Sequence, residues 1–298
     1  MGRLNQGFEY REQMGPAAAG RTVLAYLVAR HRHSSEAVWQ QRIAAGEVGV
    51  DDSPALSSDL LRAGQLLVWR RPPWEEPEVP LAFAVLHRDE HLLAVAKPRG
   101  LPSVPNGGFL THTLLHRVRT MEPAATPLHR LGRGTSGLVL FARTAEARRA
   151  VSASWREGRV DKVYRALVCG APASAFSVDT PIGLVGHPRL GRVHAASGDG
   201  KPALTRVRRI GPGAGGTIVE VTIVTGRPHQ IRIHLAAAGH PLVGDPLYVT
   251  GGGPGPEPGL PGDGGYRLHA YRLALAHPAT RRRLELECGP PPDLRGED

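Results

Sequence analysis

Four separated segments hold the side chains that could do chemistry. His129, Arg130 and Arg133 lie in PLHRLGRGTSG, a loop punctuated by Gly132, Gly134 and Gly137 ahead of an apolar run. In VDKVYRALV the residues alternate, so Lys162, Tyr164 and Ala166 project from one face of a strand while Val163, Arg165 and Leu167 take the other. HLLAVAKPRG carries an apolar strand into Lys97-Pro98 and Gly100, the composition of a tight turn. TIVEVTIVTGRPHQIRIHLAAAGHPLVGDPLY reads as a β-branched strand, a Thr225-Gly226 turn and a helix with the apolar stripe Ile231, His234, Leu235 and Ala238, stopped by Gly239. Arg232 is one step round from Ile231 and is expected to face a side cleft or solvent, with His229 on a similar bearing.

Guanidinium groups grip phosphate bidentately, so these residues suit an anionic partner. The 129–137 loop holds no carboxylate: its charged side chains are Arg130 and Arg133. Asp161 has the wrong strand parity for the face of Tyr164, and Asp89 and Glu90 precede the Lys97 strand. His129, His229, His234 and His240 do not make a metal site, because His229 and His234 are five residues apart and splay round a helix, and no carboxylate or thiolate joins them at ligand spacing. Cys169 and Cys288 support neither a thiolate site nor a disulfide framework. Taken singly, Tyr164 reads equally as a core aromatic, Arg130 as a phosphate anchor and Arg232 as a surface charge.

The elements that must position these groups come from a chain of 298 residues with net charge +10. Only three of its 37 basic residues are lysines, Lys97, Lys162 and Lys201. A 41% hydrophobic fraction can build one large or two modest domains. The excess of arginine suits a polyanion, although charge alone does not separate RNA from DNA. The N-terminus lacks a basic-then-apolar leader and no apolar run reaches a membrane span, so a cytoplasmic, reduced location is expected.

Residues 1–20 show no sustained period and read as a flexible tail. Residues 21–72 read as two helices followed by short strands, 73–90 as a proline-rich linker leading into a strand, and 91–298 as one mixed α/β domain. The Gly/Pro-dense stretch 251–265 reads as a flexible surface loop, an insertion without function.

Together the segments resemble, in order, the RluA-type family of RNA pseudouridine synthases. The motifs are Lys97-Pro98-Arg99-Gly100, His129-Arg130-Leu131-Gly132, Lys162-Val163-Tyr164-Arg165-Ala166, Gly200-Lys201-Pro202-Ala203-Leu204-Thr205, residues 225–235, residues 239–248 and Arg267-Leu268-His269-Ala270. All three lysines fall within them. Residues 21–72 are similar to a degenerate copy of the small RNA-binding domain named after ribosomal protein S-four: Gly46, Val48 and Val50 fit, while the usual Asn-Gly is Asp51-Asp52 and the usual Gly-Asp is Gly64-Gln65.

The resemblance implies an α+β (mixed α/β) pseudouridine synthase fold, with a central mixed sheet, flanking helices and a cleft, beside a small N-terminal α/β RNA-binding domain. It implies isomerisation of a uridine flipped out of structured rRNA or tRNA, with RNA as partner, no cofactor, no metal and no membrane; the oligomeric state is left open, with a monomer as the default. A carboxylate attacks the nucleotide, the glycosidic bond breaks, the uracil rotates and C5 replaces N1 on the ribose. Tyr164 matches the tyrosine beneath the uracil, and Arg232 the arginine that pairs with the carboxylate. His129, Arg130, Arg133, Thr135, Lys162, Arg227, His229 and Gln230 are the implied uridine or RNA contacts. Asp245 matches a structural Gly-Asp of the family. The family nucleophile is the Asp after His-Arg-Leu, and here that position is Gly132. The departure leaves Arg232 without its anionic partner in a partly buried cleft, a place for an RNA phosphate or a solvent anion. It also opens an alternative reading, an inactive RNA-binding member acting in assembly or folding.

Overall fold

The computed structural model describes residues 4–31 and 34–296. It divides into two compact units, residues 1–76 and 77–298.

In the first unit, helix α1 (Val23–Arg30) starts where the Thr22 hydroxyl accepts the Ala25 N–H, and α2 (Glu36–Ala44) where Ser35 accepts from Val38. Their buried faces pack Val23, Leu27, Trp39 and Ile43 onto Val48, Leu67 and Trp69 of a four-stranded antiparallel sheet. Its strands are β1 (Phe8–Gln13), β2 (Val48–Val50), β3 (Ser53–Pro54) and β4 (Leu66–Arg71), in the order β1-β4-β2-β3. The expected tail at 1–20 is therefore corrected from residue 8 onward; its first three residues lie outside the described ones. FEYREQ sustains no apolar alternation beyond Phe8 and Tyr10 and becomes a strand because β4, more than fifty residues later, pairs with it from Phe8↔Arg71 to Gln13↔Leu66. Asp51 and Asp52 both take positive φ, 49° and 66°, as a two-residue hairpin turn of type I′ requires, and aspartate tolerates that region better than most residues.

The second unit contains β5 (Ala84–Arg88), β6 (Leu92–Lys97), α3 (Leu114–Arg119), β7 (Thr126–Pro127), β8 (Ser136–Ala142), α4 (Ala145–Arg156), β9 (Asp161–Val168) and β10 (Ala175–Val178). These are followed by β11 (Ile182–His187), β12 (Gly191–Ala196), β13 (Thr205–Gly213), β14 (Gly216–Ile223), α5 (Gln230–Ala237), β15 (Leu268–Ala276) and β16 (Arg283–Glu287). Ten strands form one mixed sheet in the order β10-β13-β14-β9-β15-β8-β6-β5, with β16 on β15 and β7 on β8; β11 and β12 form a separate hairpin. Every residue of β8 is buried, because α4 covers Leu138 and Leu140 on one face and α3 covers Val139 and Phe141 on the other. The Thr144 cap and Gly158, at φ +71°, bracket α4 as its sequence predicts.

The junction of β8 with β15 is the parallel pairing in this sheet. Gly137 makes it possible: a Cβ there would stand 2.3 Å from the Ala270 carbonyl oxygen. Because the two strands run the same way, the loop before β8 and the segment before β15 emerge at the same end of the sheet. That topology brings the 129–135 loop to residues 261–266, more than a hundred positions away.

Candidate active site

Buried polar groups fix the 129–135 loop from below. Lys97, 1% exposed, points its ammonium at the carbonyls of Leu101 (2.6 Å), Pro98 (3.0 Å) and Arg133 (3.3 Å). Burial, reinforced by the charge of Arg99, pushes it down to about 7, and the three acceptors pull the other way. The compact ammonium meets three converging carbonyls, a geometry that the planar fork of arginine does not match. Ser103 clasps the residue before Gly132, donating to the Leu131 carbonyl (2.8 Å) and accepting its N–H (3.1 Å).

On one side of this loop, His129, Lys162 and Tyr164 line a small cavity of about 10 Å³ together with Trp155, Leu138 and Ala270. His129 stacks on Trp155 with centroids 4.9 Å apart, and its Nε2 accepts the Leu140 N–H. Burial, then the Lys162 charge, pushes its pKa to about 4, so the ring is neutral. The Lys162 ammonium lies 6.0 Å over the Trp155 ring, and burial lowers its pKa. Burial raises the Tyr164 phenol to about 12, so it stays protonated. Trp155, in the last turn of α4, lines the same cavity and is a residue that the sequence reading missed; its contacts with His129 and Lys162 identify it.

On the other side stands α5, buried from Gln230 to Ala236. The expectation that Arg232 faces a cleft or solvent without an anionic partner is corrected. Its side chain is 3% exposed, and its Nε and Nη2 each donate at 2.7 Å to Asp245, itself 1% exposed. The half-exposed helix assumed from the Ile231 stripe does not exist here, so its periodicity could not place the arginine. Asp245 Oδ1 also accepts the N–H groups of Leu247 and Tyr248, and Arg232 Nη1 donates to the Pro261 carbonyl. The guanidinium lies over Tyr266 at 4.3 Å and Tyr248 at 5.0 Å. Burial opposes its charge, but Asp245 leaves the net shift upward.

His229 precedes α5 in the left-handed region, φ +55°, which removes it from the helical bearing expected of it. The Tyr248 hydroxyl donates to the His194 carbonyl and accepts from His229 Nδ1, both at 2.7 Å. Burial, then Arg232 and lesser charges that include Arg130, push His229 to about 4. Exposed Arg130 has no hydrogen-bond partner among the described residues.

Two of the expected substrate contacts are buried within the protein. Thr135 is 4% exposed, 3.3 Å from the Tyr266 hydroxyl. Gln230, 3% exposed, bonds Leu204, Thr205, Thr225 and Arg227. Both side chains hold their loops through these contacts. Arg227 donates to the Pro202 carbonyl, and Arg133 to the Gly262 carbonyl at 2.9 Å.

Gly132 itself is exposed, but a Cβ there would lie 2.9 Å from the Tyr266 hydroxyl, and one at Gly134 2.8 Å from the Tyr266 ring. One buried tyrosine thus accounts for both glycines. The stretch 251–265 has neither helix nor strand, as expected, yet its carbonyls hold Arg133 and Arg232, so it is no idle insertion. Among the described residues, no cluster of His, Cys, Asp or Glu could hold a metal ion, and no helix is long and apolar enough to cross a membrane.

On this mixed sheet a tyrosine and a buried arginine flank a glycine-rich arginine loop. Residues 91–237 match the RNA pseudouridylate synthase family. The chain is 44% identical over 277 residues to the "uncharacterized RNA pseudouridine synthase slr1592" of Synechocystis sp., covering 91% of this chain and 95% of that one. It is 34% identical to the "ribosomal large subunit pseudouridine synthase D" of Neisseria meningitidis, over 93% of this chain and 77% of that one. The solved structure of human RNA pseudouridylate synthase domain containing 1 superposes with a TM-score of 0.57 at 27% identity, covering 73% of this chain and 86% of that one. The chain belongs to the RluA-type RNA pseudouridine synthase family.

Proposed function

We propose that this protein takes up a uridine extruded from structured ribosomal or transfer RNA in the cytoplasm and isomerises it to pseudouridine. The observation that carries this reading is the gathering of Tyr164, His129 and Lys162 round one cavity, at the loop that also presents exposed Arg130. Tyr164 would form the floor under the uracil, and its protonated phenol keeps negative charge away from that ring. Exposed Arg130 would take phosphate or the space of the extracted base. Arg232, neutralised by Asp245, acts as a rigid wall. A ribosomal target is favoured by the printed name of the Neisseria relative.

One observation favours a second reading, uptake of RNA without turnover: residue 132 carries no carboxylate, and Tyr266 fills the space beside it. Purified protein incubated with total RNA, followed by pseudouridine-specific mass labelling, separates the two. Protein-dependent conversion of any uridine supports the isomerase; retained RNA binding with no conversion supports the second reading.

A further inference from the structure

The chain covers the two faces of its large sheet unequally. On the face that carries Tyr164, the side chains of Ala166, Val207, Val219 and Val221 pack with Ile231 and Leu235 of α5. Alternate residues of the same strands turn the other way: Arg206 and Arg208 of β13, Glu220 of β14 and Arg165 of β9, with Arg272 of β15 beside them. Leu294 packs over Leu167 and Ile218 at one end of this second face. Arg206, Arg208 and Arg272 are exposed.

Three guanidinium groups converge there on one carboxylate. Glu220, 14% exposed, is met by Nη2 of Arg208 at 2.8 Å, of Arg165 at 3.3 Å and of Arg272 at 3.4 Å. Arg165 and Arg272 also lie over the Tyr271 ring, at 5.1 and 4.6 Å. A second carboxylate, Glu287 on β16, stands 4.0 Å from Nε of Arg272. Counting Arg206, four arginines thus face two carboxylates. The Arg165 side chain is 12% exposed, and its Nε and Nη1 have no hydrogen-bond partner among the described residues. Water can satisfy such a donor but cannot neutralise a surplus of charge, so the cluster is complementary to an anion. Its cations are spread over β13, β9 and β15, on strands about 4.8 Å apart, which suits a row of phosphates better than one small ion.

We propose that this face, turned away from Tyr164, is a second RNA-docking surface that takes phosphodiester backbone independently of the uridine cavity. RNA is the partner that membership of the family gives, and the docking does not depend on whether the bound RNA is turned over.

The test combines Arg206→Gln, Arg208→Gln and Arg272→Gln, which removes three exposed charges and leaves Glu220 paired with Arg165. Arg148→Gln, Arg149→Gln and Arg156→Gln, at exposed positions of α4, lower the net charge equally and serve as the control. Phosphate contacts carry no sequence information, so the probe is a labelled RNA hairpin, measured by filter binding across a salt titration. The sheet variant is expected to bind on the order of 10-fold more weakly, with the slope of log Kd against log salt lowered by about 2–3. The control is expected to change the slope by less than about one, and thermal unfolding of both variants to match the wild type. Equal losses in the two variants would reduce the face to its share of the overall positive field and overturn the proposal. Wild-type affinity and slope in the sheet variant would overturn it as well, whatever the protein converts. Wild-type protein that binds the hairpin through this face but converts no uridine in total RNA would refute the isomerase reading alone.

Discussion

Asp245→Asn isolates the charge of the buried pair from its shape. Asparagine keeps an oxygen for the N–H groups of Leu247 and Tyr248 but turns an amide donor, or a neutral oxygen, toward Arg232 Nε and Nη2. Both partners are nearly inaccessible, at 3% and 1%, so water cannot take over the role of the carboxylate. Removing one partner of such a pair costs about 3–5 kcal/mol, because a bare guanidinium remains in a low-dielectric site. For a unit the size of residues 77–298, about 2–4 °C per kcal/mol translates this into a fall of about 6–20 °C in the melting temperature of that unit. The assay is thermal and urea unfolding, with the transition of the second unit followed separately. Arg232→Met combined with Asp245→Leu should lose less than Asp245→Asn alone, since an apolar pair of similar volume leaves no orphaned charge. A loss below about 1 kcal/mol in Asp245→Asn would refute the reasoning and return Arg232 to the role of a cation awaiting an external anion.

Lys97→Met orphans three buried carbonyls and should cost about 3 kcal/mol by urea unfolding. Its pH signature has a definite sign. The folded value of about 7 lies below the unfolded value of about 10.4, so the unfolded state binds more protons between them and wild-type stability rises with pH across that window; the Met variant loses this slope. Gly132→Ala should cost about 1–3 kcal/mol by crowding the Tyr266 hydroxyl, and Tyr266→Phe should relieve most of that penalty in a double-mutant cycle. Gly132→Asp alone meets the same obstruction, so it should gain conversion only in the Tyr266→Phe background. Trp155→Leu should cut conversion by releasing His129 and Lys162 while leaving salt-dependent RNA binding within about 3-fold, because it touches no phosphate-facing arginine.

Local chemistry was legible from the residues alone. Thr144 and Gly158 mark the ends of α4, Gly239 follows α5 at φ +87°, and the alternation in β9 puts Lys162 and Tyr164 on one face. These signals act over a few residues, through capping hydrogen bonds, positive φ and the period of a strand, so sequence spacing contains them. The ordered motifs added the family, and with it the absence of a carboxylate at Gly132. Tertiary structure decided the partners. Arg232 finds Asp245 because α5 is buried on all sides, where helical periodicity has no polar face to report. Tyr266 reaches Gly132, and Asp263 reaches Arg133, because parallel β8 and β15 open at one end of the sheet. No local pattern encodes that juxtaposition: it depends on strand order, and strand order is set by how the whole sheet buries its faces. The same physics turned 8–13 from an expected tail into a strand, since an edge strand takes its hydrogen bonds from a distant neighbour.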